Sequence, residues 1–127
     1  MTTGQQPSIE RLKRRPEFLA AAQAMSMARG AIVLQARDRG DGEPLIRIGF
    51  TATRKVGGAV VRNRAKRRMR EAARLLLPEF GRPGFDYVLI ARNGAPTRPW
   101  DRLLDDVKTA LIRLAPDAEA RTAADRA

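Results

Sequence analysis

Residues 56–76, VGGAVVRNRAKRRMREAARLL, constrain this chain more than any other stretch. Seven basic side chains fall in the thirteen positions from Arg62 to Arg74, and Glu71 is the only acid among them. At about 100° per residue, Val61, Ala65, Met69, Ala72 and Leu76 gather within roughly 80° of one another. Arg62, Asn63, Lys66, Arg67, Arg70 and Arg74 spread over the opposite side, with Arg64 and Arg68 on a flank. The segment therefore reads as a helix with one face for a protein core and the other crowded with like charge. Glu71, three or four places after Arg67 and Arg68, offsets their repulsion by only ~0.2–0.5 kcal/mol per pair. Solvated helix faces alternate signs, and this one hardly does. A polyanion is the expected partner.

The wider composition agrees. The 127 residues have room for one hydrophobic core, and 43% apolar content supports a folded chain. Net charge is +11 with a pI near 11.5, which points to nucleic acid or an anionic membrane surface. From Asp101 onward six acids face five bases, so the excess lies in the first hundred residues. Only four of the 25 basic residues are lysine. Arginine's planar fork suits bidentate phosphate contacts and base stacking, although a GC-rich genome would give the same bias. Gly57 and Gly58 leave room for backbone N–H groups to approach a phosphate at the helix start.

Cysteine and histidine are absent. Disulfides, thiolate or imidazole metal ligands and the usual general base near neutral pH go with them. No apolar run approaches the ~20 residues that span a bilayer, and the N-terminus lacks a signal-peptide core. Glu10 and Glu17 interrupt the arginine-rich start that an organellar transit segment would need. A cytoplasmic protein with no membrane partner is expected.

Residues 1–8 read as a flexible tail, 9–115 as one domain, and 116–127 as a second tail, either extra helix or disordered. Pro16 and Glu17 suit a helix start, Phe18, Ala22 and Met25 recur at helical spacing, and Gly30 can end the segment. Strands are expected over 31–37, 45–53 and 85–92, the first two joined as a hairpin by the turn-forming run 38–44. In the second strand Ile46, Ile48, Phe50 and Ala52 share one face, and Arg47, Gly49 and Thr51 the other. The basic helix should stop at Pro78, and Trp100, Leu103, Leu104, Val107, Leu111 and Leu114 define a last helix over 100–114. The order α-β-β-α-β-α predicts an α+β single-domain sandwich, a central mostly antiparallel sheet with one face covered by helices.

Acids able to support protein-based chemistry are few. Asp101 and Asp105 lie at i, i+4 beside Asp106, a spacing compatible with one hydrated magnesium, but acids near a helix start also complement its dipole. Asp38, Asp41 and Glu43 read as turn residues. No catalytic residue and no metal ligand is assigned to the chain.

The stretch RNRAKRRMR, preceded by TRKVGGAVV, closely resembles the arginine-rich signature of the bacterial ribonuclease P protein component. RLKRRPEF (11–18) is similar to that family's opening segment, 47–72 to its core, DYVLIAR (86–92) to its last strand and 100–114 to its closing helix. The resemblance implies a subunit of an endoribonuclease that removes the 5′ leader from precursor tRNA. It implies that an RNA subunit carries the active site and its Mg2+, with the protein monomeric in a 1:1 ribonucleoprotein. It also implies a fold like that of a ribosomal-protein domain, with a left-handed crossover. The signature positions are Arg62, Asn63, Arg64, Lys66, Arg67 and Arg70, with Arg54 and Lys55 as the basic pair before the glycines. Phe18 matches an aromatic that can stack an unpaired base, or else it is a plain core residue. Arg92 matches the basic end of the last strand, and Arg11, Lys13, Arg14 and Arg74 complete the candidate RNA-binding set. Ala22 and Gln35 stand where the family often has aromatics, so stacking on the leader should be weaker or shifted toward arginine. The competing readings are a structural, ribosomal-type RNA-binding protein, a DNA-compacting protein and a protein-only nuclease.

Overall fold

Strand β5 (Phe85–Ala91) is nearly all apolar and is buried along both faces, which makes it the centre of the sheet. The computed structural model describes residues 8–115. In chain order the elements are β1 (Ile9–Arg11), α1 (Arg15–Ala22), β2 (Met25–Arg29), β3 (Ile32–Asp38), β4 (Ile46–Ala52), α2 (Ala59–Phe80), β5 and α3 (Trp100–Arg113). The sheet order is β1-β4-β5-β3-β2. β1 and β5 each run parallel to β4, while β3 is antiparallel to both β5 and β2. The α+β single domain stands, but the sheet is evenly mixed rather than mostly antiparallel.

Three expectations need correcting. β3 and β4 do not form a hairpin, because β5 inserts between them, pairing Leu34 with Leu89 on one side and Phe50 with Leu89 on the other. Placing β4 parallel to β5 requires a crossover, and α2 supplies it. The helix expected to run toward Gly30 ends at Ala22. Beyond it Met25, Met27 and Arg29 alternate inward with Ser26 and Ala28 outward, and this period of two forms edge strand β2 against β3. β1, three residues long, is too short to show a period; its register, Ile9 beside Ile46 and Arg11 beside Ile48, comes from pairing alone. The stop at Pro78 is also late: the proline sits in the last turn of α2, which ends where the Gly81 N–H bonds the Leu77 carbonyl at 2.8 Å.

Helices cover both sheet faces, not the single face expected. α2 and α3 bury Ala65, Met69, Ala72, Leu103, Val107 and Leu111 against Ile32, Leu34, Ile48, Tyr87 and Leu89. α1 lies on the other face, where Ala21 and Phe18 pack on Leu12, Val88 and Ile90. A side chain on Gly49 would come within 2.5 Å of the Phe18 ring, so the glycine is what lets α1 sit so close to β4. The tail expected at 1–8, apart from Ser8, and the tail expected at 116–127 lie outside the described residues.

Candidate nucleic-acid interface

α2 begins at Gly58, with no side chain capping its first N–H groups. The preceding Gly57 takes φ +151°, and a side chain there would meet Val61 at 2.8 Å. The helix buries Ala65, Met69, Ala72, Ala73 and Leu77, so its apolar stripe is turned slightly from the expected one: Val61 is exposed and Leu76 half-buried. On the outer side Asn63, Arg64, Arg67 and Arg70 are exposed, with Arg62 and Lys66 half-buried. Among the described residues none of these five basic side chains forms an ion pair with an acid.

Glu71 does not serve Arg67 and Arg68 as expected. It pairs with Arg74 at 3.0 Å, a bond that holds the Glu71 carboxyl below its ordinary pKa and the Arg74 guanidinium above its own. Arg68 turns inward, donating to the carbonyls of Ala95 and Arg98 and lying 5.8 Å from the centre of the Trp100 ring. Burial, and then Arg64 nearby, lower its pKa. It fastens the 92–99 loop to α2.

Beside α2, Arg11 of β1 and Arg70 stand 5.6 and 5.7 Å from the centre of the Phe50 ring. They border a groove of about 490 Å³ that also takes in Asn63, Lys66 and Arg67. Sequence reasoning grouped Arg70 with the helix and Arg11 with the opening segment, and passed over Phe50.

The remaining candidates lie elsewhere. Arg54 and Lys55 are exposed in the turn after β4, where the Gly57 N–H bonds the Arg54 carbonyl at 3.2 Å. Arg92 follows β5, its backbone N–H held by the Ala31 carbonyl at 2.8 Å and its side chain exposed. Lys13 and Arg14 are exposed, and the Arg14 N–H bonds Glu17 at 3.1 Å to start α1. Phe18 is half-buried over Gly49, packed against the small cluster of Leu12, Ala21 and Val88. On that same sheet face, Gln35 is half-buried opposite Val88, and Ala22 is exposed at the end of α1.

A second cluster of arginines was not legible from the sequence. Asp86 is fully buried and takes two bonds from Arg47, both 2.8 Å, and one from Arg39 at 2.9 Å. Arg47 also bonds Glu17 of α1, and its pKa is raised, chiefly by the bond to Asp86. Arg39 ties down the 38–44 turn through the carbonyls of Phe85, Glu43 and Leu45. Asp106, one of the three acids of the last helix, is likewise committed. It accepts from Arg98 and from the Ala31 N–H at 3.1 Å. Asp105 meets Arg29 at 3.5 Å, and Asp101 is exposed. Among the described residues, no group of three or more acids, histidines or cysteines is placed to hold a metal ion, and no helix is long and apolar enough to cross a membrane.

The comparisons with known proteins agree on a single family. Residues 7–115 match the family described as Ribonuclease P. A Caulobacter vibrioides protein named ribonuclease P protein component is 64% identical over 111 residues, covering 87% of this chain and 74% of that one. One of the same name from Ruegeria pomeroyi is 56% identical over 108 residues, 84% of this chain and 86% of that one. The solved RNase P protein of Thermotoga maritima superposes with a TM-score of 0.66 at 28% identity, covering 83% of this chain and 97% of that one. With the strand order, the two-sided helix packing and the cationic α2 in place, the chain belongs to the ribonuclease P protein family.

Proposed function

We propose that this ribonuclease P subunit works through two surfaces, docking on a catalytic RNA with the outer face of α2 and offering the α1 side of its sheet to the 5′ leader of precursor tRNA. The observation that carries the reading is an imbalance. Arg62, Arg64, Lys66, Arg67 and Arg70 have no acid partner among the described residues, while the buried Asp86 and Asp106 are saturated with arginine. Unneutralised cations at this density favour a phosphate backbone, whose binding releases counterions.

The protein's part in the reaction is then positional and electrostatic. Arg62, Lys66 and Arg67 neutralise phosphates, which lets RNA and substrate approach at lower magnesium. Arg54, Lys55 and Arg92 extend positive charge past the ends of β4 and β5, and Phe18 lies over Gly49 on the α1 side of the sheet. Among the described residues no group of three or more carboxylates is placed to hold magnesium, and Asp106 and Asp86 are engaged by arginines. Magnesium held by the RNA would supply the activated water and the charge on the leaving oxygen. One copy per RNA, acting in the cytoplasm, completes the reading.

The test combines purified protein, the RNA subunit from the same organism and precursor tRNA with a labelled leader, at low magnesium. Cleavage at the mature 5′ end only with both macromolecules present is expected. Cleavage by protein alone would overturn the reading, and tight RNA binding without rescue would favour a structural RNA-binding protein.

A further inference from the structure

The groove between β1 and α2 lies on the opposite sheet face from α1. Its mouth carries Arg11, Asn63, Lys66, Arg67 and Arg70. It continues into a recess of about 330 Å³ whose lining is predominantly apolar, with Ile9, Ile48, Ala73 and Leu77 among the contributors. Both volumes fall in the range of small-ligand pockets.

Two features make this more than a charged surface. Arg11 and Arg70 come from different elements, yet both guanidiniums are held on the single ring of Phe50, and neither has an acid partner among the described residues. The ring's negative face attracts each cation, but the two cations repel each other, so an anion between them turns repulsion into a clamp. The recess beside that clamp is predominantly apolar, and the one further cation in its lining, Arg74, is already paired with Glu71. The recess suits the flat, weakly hydrated face of a base. A duplex keeps its base faces stacked inside and offers only edges, hydroxyls and phosphates, so the occupant that fits both halves is an unpaired nucleotide. The mouth opens along the α2 face rather than toward α1, which assigns the nucleotide to the RNA subunit and not to the leader.

We propose that the β1–α2 groove holds one unpaired nucleotide of the RNA subunit, its phosphate between Arg11 and Arg70 and its base in the recess over Ile48 and Leu77. Phe50 is a positioning residue that holds the two guanidiniums in register. The inference rests on the RNA-docking role of α2 given above.

The experiment measures affinity for the RNA subunit across a salt series, for the full chain and for Arg11→Ala, Arg70→Ala and the double variant. One shared phosphate predicts that the double variant lowers the slope of log affinity against log salt by about 0.7–0.9. Each single variant should lose about tenfold in affinity, and the double clearly less than the hundredfold product. A slope change near twice that value, with multiplicative losses, means two separate phosphates and overturns the clamp. Phe50→Leu keeps every charge, so it should weaken binding several-fold at unchanged slope, while Phe50→Tyr should retain affinity; equal affinity for all three would remove Phe50 from the site. Probing the Watson–Crick edges of the RNA with dimethyl sulfate and a carbodiimide should show one unpaired base protected by the full chain and exposed with the double variant. Loss of affinity only for leader-bearing precursor on the assembled enzyme would move the groove to the substrate and overturn the assignment. Arg11 and Arg70 are exposed, so the unfolding midpoint of the double variant serves as the folding control. Failure of the unaltered chain to bind the RNA at all would instead sink the docking role itself.

Discussion

Around Asp86, Arg39 and Arg47 direct their N–H groups at one buried carboxylate, whereas Arg62, Arg64 and Arg67 on α2 hold theirs out with no acid in reach among the described residues. The side chain is the same, and what differs is where its counter-charge sits. In the first cluster the anion is part of the fold, so the arginines tie α1, β4, β5 and the 38–44 turn into one unit. On α2 the anion has to arrive from outside. Loss of an arginine should therefore register as stability in one region and as affinity in the other.

The largest expected effect comes from removing the internal anion. Asp86→Ala leaves Arg39 and Arg47 without their shared carboxylate and should cost about 3–5 kcal/mol in urea unfolding. A loss under 1 kcal/mol would mean that water replaces the carboxylate and that the cluster is not a fastener. Next is Tyr87, the only tyrosine, whose burial pushes its phenol up to about 12 while its oxygen accepts the Arg82 N–H at 2.9 Å. The folded pKa lies above the unfolded one, so this contribution is whole below about pH 10 and is lost as pH rises through 12, about 2–3 kcal/mol in all. Absorbance titration of the phenolate should show that midpoint in the folded chain. Tyr87→Phe should lack the corresponding step in stability.

Arg68 sharpens the contrast because it belongs to the basic run by sequence and to the fold by contact. Arg68→Ala strands the Ala95 and Arg98 carbonyls and should cost about 1–3 kcal/mol, with the salt dependence of RNA binding unchanged. A flattened salt dependence would return it to the RNA face. The smallest effect on the fold should come from Arg62→Ala and Arg67→Ala, within about 0.5 kcal/mol in unfolding. Each should weaken RNA binding about tenfold and lower its salt slope by about 0.7–0.9. Unchanged affinity and slope in both would remove this face from RNA contact.

Elements with a long period were legible in the sequence. α2, α3 and the three long strands lie within a few residues of expectation, and the sign of α2's outer face followed from its spacing. Pairing was not legible: a turn rich in glycine and acids looks like a hairpin whether or not a distant strand inserts, and only β5's two-sided burial decides it. Met25 fits both a helical stripe from Phe18 and an alternating strand with Met27, and contact with the main core selects the strand. The same limit applies to the site. Arg11, Phe50 and Arg70 are far apart in the chain and meet only because β1 runs parallel beside β4, a register that three residues cannot announce. Arg68 and Arg74 show the converse, since two arginines of one helix found different partners.

Gly30, in the turn between β2 and β3, has φ +54°, and a side chain there would come within 2.2 Å of the Asp106 carboxylate. Displacing Asp106 would release Arg98, whose carbonyl receives Arg68 of α2. A mutational survey scored on RNA cleavage would therefore flag Gly30 as strongly as a contact residue. The defect at that position would be a misplaced helix, and raising the RNA concentration would not restore a geometry that the turn had already lost.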